Sequence, residues 1–133
     1  MKDILQVTVI RGKDIPYLPA SHEDPVDPGV LKRVLYTKND VPAGRIQMIN
    51  WAVIPGRKSF RPHYHEDMDE IFVITTGTVS MTAGGKVFAL RAGDAVRIPA
   101  GCIHSMTNPF RRNVTYLVIG ISFGRNGRTI TLP

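Results

Sequence analysis

From Val30 to Ser122 the chain is a succession of short runs in which apolar and polar residues alternate, each closed by glycine, proline, asparagine or aspartate. A period of two puts successive side chains on opposite faces of a strand, and turn signals recurring every ten residues or so mark a sandwich or barrel. The pattern predicts strands near 30–37, 45–54, 59–65, 69–76, 78–83, 86–91, 95–99, 103–107 and 113–122, and no helix longer than a turn. The clearest hairpin joins Thr78–Ala83 to Lys86–Leu90 through Gly84-Gly85, a pair suited to the positive φ angles of a two-residue turn. Arg91-Ala92-Gly93-Asp94 and Asn108-Pro109 read as further turns, with Asn108 capping the second.

Before this region, Pro16, Pro19, Pro25 and Pro28 crowd a stretch that also holds His22, Glu23, Asp24 and Asp27. Proline and the residue before it avoid the helical region, so residues 1–29 read as an extended arm and 30–133 as one barrel domain. The 133 residues suit one domain, and the ten prolines and twelve glycines further favour an all-β, antiparallel fold. A chain this long buries roughly two-thirds of its unfolded surface, so it builds a core without help, and a metal would be functional rather than structural.

Cys102 is the only cysteine, which excludes an internal disulfide and thiolate-rich metal sites and leaves nitrogen and oxygen as ligands. Its side chain reads as an inert small residue, with a nucleophile as the alternative. No secretory leader is read in the first residues, and the apolar run Tyr116–Ile121 is far shorter than the roughly 20 residues of a membrane span, so a cytoplasmic protein without membrane contact is expected. The net charge is +6. Residues 1–30 carry three bases and five acids, the rest fourteen bases and six acids. The bases lie mostly singly, with neither an aromatic platform nor a recognition-helix pattern, so nucleic acid is not an expected partner.

Met48, Asn50 and Ala52 share one face of their strand, with Ile49, Trp51 and Val53 on the other; Val114–Ile119 is apolar on both faces. A small barrel wets one face of each strand, so this excess predicts a homodimer contact, or else cover by the arm.

The chemistry lies in two segments. His63 and His65 are two apart in a predicted strand and point to one face, while Tyr64 points to the other. Glu70, five residues on, can return a carboxylate to the pair from the next strand, and two nitrogens with an oxygen suit first-row divalent metals. The other acids of Glu66-Asp67-Met68-Asp69-Glu70 read as a solvated turn. In the second segment, Gly93–Asn108, His104 follows a turn from which it can face inward.

Gly56, His63-Tyr64-His65, Glu70 and Gly77 resemble the first conserved motif of the cupin superfamily, with one extra residue between Gly56 and His63 that lengthens the turn before the strand. Gly93, Pro99, Gly101, His104 and Asn108 match every fixed position of the second. The resemblance implies a double-stranded β-helix, or jelly roll, in which His63, His65, Glu70 and His104 hold one divalent metal, Mn, Fe, Ni, Cu or Zn. About two of its positions would stay open to substrate, water or dioxygen. The superfamily shares this ligand set among dioxygenases, isomerases, decarboxylases and lyases, so the reading is a small-molecule metalloenzyme with oxygen-dependent or Lewis-acid chemistry, inclining to the former. The alternative is a module that binds metal and a small ligand without turnover. A general acid or base near the open positions separates the two, and Tyr116, Tyr64, Cys102 and His22 are the candidates. His22 otherwise reads as a solvated loop residue. A pocket lined only by Met48, Phe72, Val96, Met106 and their like would favour the module. An anionic ligand becomes plausible if Arg57, Lys58 or Arg61 turns inward; otherwise these are solvated.

Overall fold

The computed structural model describes residues 8–41, 45–124 and 127–133, so the first seven residues of the arm lie outside the description. Its strands are β1 (Leu18–Pro19), β2 (Leu31–Thr37), β3 (Ile46–Ile54), β4 (His63–His65), β5 (Met68–Thr76), β6 (Thr78–Ala83), β7 (Lys86–Arg91), β8 (Ala95–Ile98), β9 (His104–Thr107), β10 (Val114–Ser122) and β11 (Thr129–Thr131). They form two antiparallel sheets, ordered β1-β2-β3-β10-β5-β8 and β11-β4-β9-β6-β7. A single 3-10 turn, Gly12–Asp14, is the sole helical element among the described residues. The architecture is the expected jelly roll.

Strict alternation builds the core. Burial switches at every residue of β10, and Ile54, Ile74, Met81 and Met106 are almost wholly inaccessible. Each large side chain so buried contributes roughly 1.5–3 kcal/mol. The hairpin turn forms as expected: Ala83 pairs with Lys86, and Gly84 and Gly85 sit at φ 58° and 78°. Gly56 is needed for a different reason, since a Cβ there would lie 2.0 Å from the Arg111 carbonyl oxygen.

Predicted strands match observed ones within a residue except 59–65, which shortens to His63–His65. Pro62 has no N–H for a ladder, and Ser59 keeps only an isolated bridge to Thr107. Two strands were not foreseen. β1 folds the proline-rich arm back on β2, with Leu18 opposite Lys32, and β11 brings the chain's end against β4, with Thr129 opposite His65. Both are too short to show a period.

Candidate metal centre

The alternation of β4 buries His63 and His65 and turns Tyr64 away. Pairing with β9 sets His104 directly across from His63. Glu70 reaches the same point from β5, the next strand along the chain as expected, which lies in the facing sheet. Three imidazoles from one sheet and one carboxylate from the other thus converge between the layers, their ligand atoms within 4.8 Å of one another and all four residues buried.

The outer nitrogen of each ring is fixed. His63 Nδ1 donates to the Arg61 carbonyl at 2.8 Å and His104 Nδ1 to the Cys102 carbonyl at 2.9 Å, while His65 Nδ1 is 3.0 Å from Thr129 Oγ1. A carbonyl only accepts, so in His63 and His104 Nδ1 carries the hydrogen and Nε2 is left to face inward. Glu70 Oε1 lies 3.0 Å from His104 Nε2 and 2.8 Å from His65 Nε2. Two acceptors so close repel unless positive charge, a proton or a metal ion, stands with them. Outer bonds that orient rings whose inner nitrogens meet a carboxylate are the arrangement a divalent ion requires, and the donor set fits it.

The electrostatics favour ligand-ready forms. Burial, followed by the neighbouring His22, pushes the His63 imidazole down to about 3 against the raising effect of the Arg61 carbonyl, so it stays neutral. Burial alone would raise the Glu70 carboxyl, but the proton and positive charge that stand with His104 and His65 in the metal-free site outweigh it and hold the group at about 2, ionised as a ligand must be.

A cavity of about 190 Å³ opens onto this group. Met48 and Phe72 line it as the apolar reading required, but so do His22, Lys32, Asn50 and Tyr116, whereas Val96 and Met106 do not. Of the four acid–base candidates, Tyr64 and Cys102 stay outside the lining and Tyr116 and His22 lie within it. Burial first, then Glu70, raises the Tyr116 hydroxyl, which therefore remains a proton donor. His22 is not the solvated residue expected: its ring stacks on His63 at 4.1 Å and 24°, and Nδ1 bonds Glu23 Oε2 at 3.0 Å. The Glu23 carboxylate also accepts from the backbone N–H groups of Gly29 and Arg61, at 2.8 and 2.9 Å. The arm thus places an oriented imidazole beside the centre.

The basic residues before β4 do not enter. Lys58 pairs with Asp27 at 2.6 Å and neither Arg57 nor Arg61 lines the cavity; the cation that does is Lys32, which the sequence reading did not single out. Its signal was the inward register opposite Ala52. Asp69 is more than a solvated acid, since it accepts from Arg97 and from the Ala100 amide at 2.8 Å and so anchors the turn leading to His104.

The family model for the cupin domain matches residues 50–120, more than half of the chain. The chain belongs to the cupin family. Among curated proteins none matches it. Among solved structures, this cupin is similar to a predicted oxalate decarboxylase of Thermotoga maritima, 24% identical with TM-score 0.77, over 87% of this chain and 100% of that one. It is similar to the polyketide cyclase RemF of Streptomyces resistomycificus at 18% identity and TM-score 0.77, over 96% and 87% of the two chains. A third likeness is to a cupin-superfamily sugar phosphate isomerase of Silicibacter pomeroyi, at 20% identity and TM-score 0.69, over 86% and 75%. At these identities the likeness establishes the fold. No helix among the described residues is long and apolar enough to cross a membrane.

Proposed function

We propose that this cupin is a metal-dependent enzyme acting on a small molecule, with His63, His65, Glu70 and His104 holding one divalent first-row ion and His22 serving as the base. The observation that carries this reading is the Glu23–His22 pair at the edge of the donor set: Nδ1–H is committed to a carboxylate, so Nε2 is a proton acceptor on the cavity wall. When bound, the ion would supply Lewis-acid polarisation to a ligand in its open positions. His22 would take a proton from that ligand, Glu23 would hold the ring in the accepting tautomer, and Tyr116 would donate a hydrogen bond. Phe60 and Phe72 would limit water. A base so placed favours proton abstraction beside a carbonyl over the oxygen-dependent chemistry to which the sequence inclined, a reaction type that the isomerase among the similar structures is in keeping with.

Protein purified without chelator or metal-affinity tag is expected to carry close to one transition-metal ion per chain. It should also exchange the α-proton of small hydroxy- or oxo-acids in deuterated water, read by NMR. His22→Gln should slow that exchange roughly a hundredfold or more and leave the metal in place. No metal even after reconstitution would sink the enzyme reading in favour of the ligand-binding module, and exchange indifferent to His22→Gln would remove His22 as the base.

For quaternary structure we propose a homodimer through the outer face of the larger sheet. Ile49, Ile119 and Ile71 form one apolar row across it and Trp51, Leu117 and Val73 the next. The described part of the arm reaches this face at Tyr17, whose ring lies 4.2 Å from the Arg33 guanidinium. Sedimentation should give two chains for the native protein and one for Trp51→Glu/Leu117→Lys; a native monomer would refute the interface.

A further inference from the structure

Three inward rows cross the larger sheet. The first joins Met48, Gly120 and Glu70; the second Val34, Asn50, Val118 and Phe72; the third Lys32, Ala52 and Tyr116. Successive rows lie two residues apart, or roughly 7 Å, so Lys32 stands on the far side of the cavity from Glu70 with Asn50 between them. Both residues line the cavity and both are chemically unfinished.

Lys32 is a half-buried cation with no acidic partner among the described residues, and burial alone lowers its ammonium pKa. Asn50 is 6% exposed; its Nδ2 finds only Met48 Sδ at 3.5 Å, and its Oδ1 has no partner. Reversing the amide would still leave a polar atom unpaired. A native fold keeps such groups where water, an ion or a ligand can answer them, and two of them on the wall of one cavity are placed to be answered together by a ligand. A divalent ion facing one carboxylate would retain one positive charge, and Lys32 adds a second. Glu23, behind His22, is already held by His22 and two backbone amides.

We propose that the ligand of this cavity is a small hydroxy acid with a second, distal anionic group: its head occupies the open positions at the His63–His65–Glu70–His104 group, a hydroxyl donates to Asn50, and a distal carboxylate or phosphate is bound by Lys32. The proposal rests on the metal reading above and adds to it the class of substrate and the two residues that select it. Lys32, with its mobile stem and point charge, suits either anion, and a ligand lacking the distal charge leaves it desolvated and unanswered.

The test titrates metal-loaded protein by calorimetry with glycerate, malate and 3-phosphoglycerate, which share a 2-hydroxycarboxylate head and differ in the distal group. Malate or 3-phosphoglycerate should bind roughly tenfold to a hundredfold more tightly than glycerate, the range of one charge-assisted hydrogen bond, and whichever binds tighter identifies the anion. Lys32→Met should abolish that difference while glycerate affinity and metal content stay unchanged, and Lys32→Arg should preserve most of it. Asn50→Leu should weaken all three probes and raise Tm by a few degrees, because it removes an unpaired buried oxygen. Equal affinities for the three probes, no binding of malate or 3-phosphoglycerate, or a difference that survives Lys32→Met would overturn the proposal. Metal content measured on the same samples separates this failure from that of the metal reading. If no metal loads, the metal reading falls by itself, and Lys32-dependent binding of malate or 3-phosphoglycerate to the metal-free protein still decides the substrate class.

Discussion

If the group holds a metal as proposed, His63→Ala and His104→Ala should each lose it, lowering affinity by well over the hundredfold typical of removing a mere outer partner, while the barrel stays folded. Each ring is one of four donors converging within 4.8 Å, and alanine supplies no ligand. Folding survives because the strands are held by ladders and by the apolar core on either side of the group, and a chain of this length does not depend on an ion for its stability. The two variants should still differ. His104 bonds Glu70 directly, so its removal leaves that buried carboxylate with His65 alone, whereas removing His63 chiefly forfeits ring packing against His22 and His104, at 4.1 and 4.5 Å. Metal-free His104→Ala should therefore melt below metal-free His63→Ala, by the order of 1–3 kcal/mol that an under-satisfied buried acceptor costs. Elemental analysis with circular dichroism reads both quantities. Unfolding of both variants at room temperature would mean that the ion, or the cluster itself, is structural.

The strands and the shared face of His63 and His65 were legible because both depend on short-range periodicity, while the joining of Glu70 and His104 to that pair was implied by the resemblance to the cupin motifs. Alternation tells that His63 and His65 share a face, and the turn glycines of Gly93–Gly101 bound the strand before His104. What alternation cannot tell is which sheet a strand joins. Glu70 does come from the next strand along the chain, as expected, but that this strand lies in the opposite layer is a matter of pairing between residues far apart in sequence. For the same reason Thr129 was not foreseen as the partner of His65, since three residues at the chain's end carry no period. His22 and Glu23 were hidden by their prolines: a stretch that reads as solvated arm is pinned by the Gly29 and Arg61 amides, and its imidazole is carried onto His63. Lys32 sat in a run, Leu31-Lys32-Arg33-Val34, where two adjacent cations look alike. Only the register with β3 distinguishes the one facing the cavity from the one stacked on Tyr17.

Asn108→Ala should cost about 3 kcal/mol and lower Tm by roughly 10 °C, making it the most damaging single polar substitution expected outside the metal group. The sequence suggested a turn cap; the structure shows a junction. Asn108 is fully buried, its Nδ2 donates to the carbonyls of Ile54, Pro55 and Arg112 at 3.1, 3.3 and 2.7 Å, and its Oδ1 accepts from the Phe110 amide at 3.1 Å. One side chain therefore joins the end of β3, just before the tight approach at Gly56, to the loop between β9 and β10. Alanine leaves three carbonyls and an amide short of a partner where water does not readily replace it. Asn108→Asp should be no rescue, because a carboxylate keeps the Phe110 bond but sets negative charge against three carbonyl oxygens. The site lies at the other end of β9, where His104 begins the strand that Thr107 ends, so metal content below the melting transition should be unchanged. Loss of metal at an unaltered Tm would instead make Asn108 part of the site's own support. A lowered Tm with full metal fixes its role as the tie that lets β9 present His104 to the other three ligands.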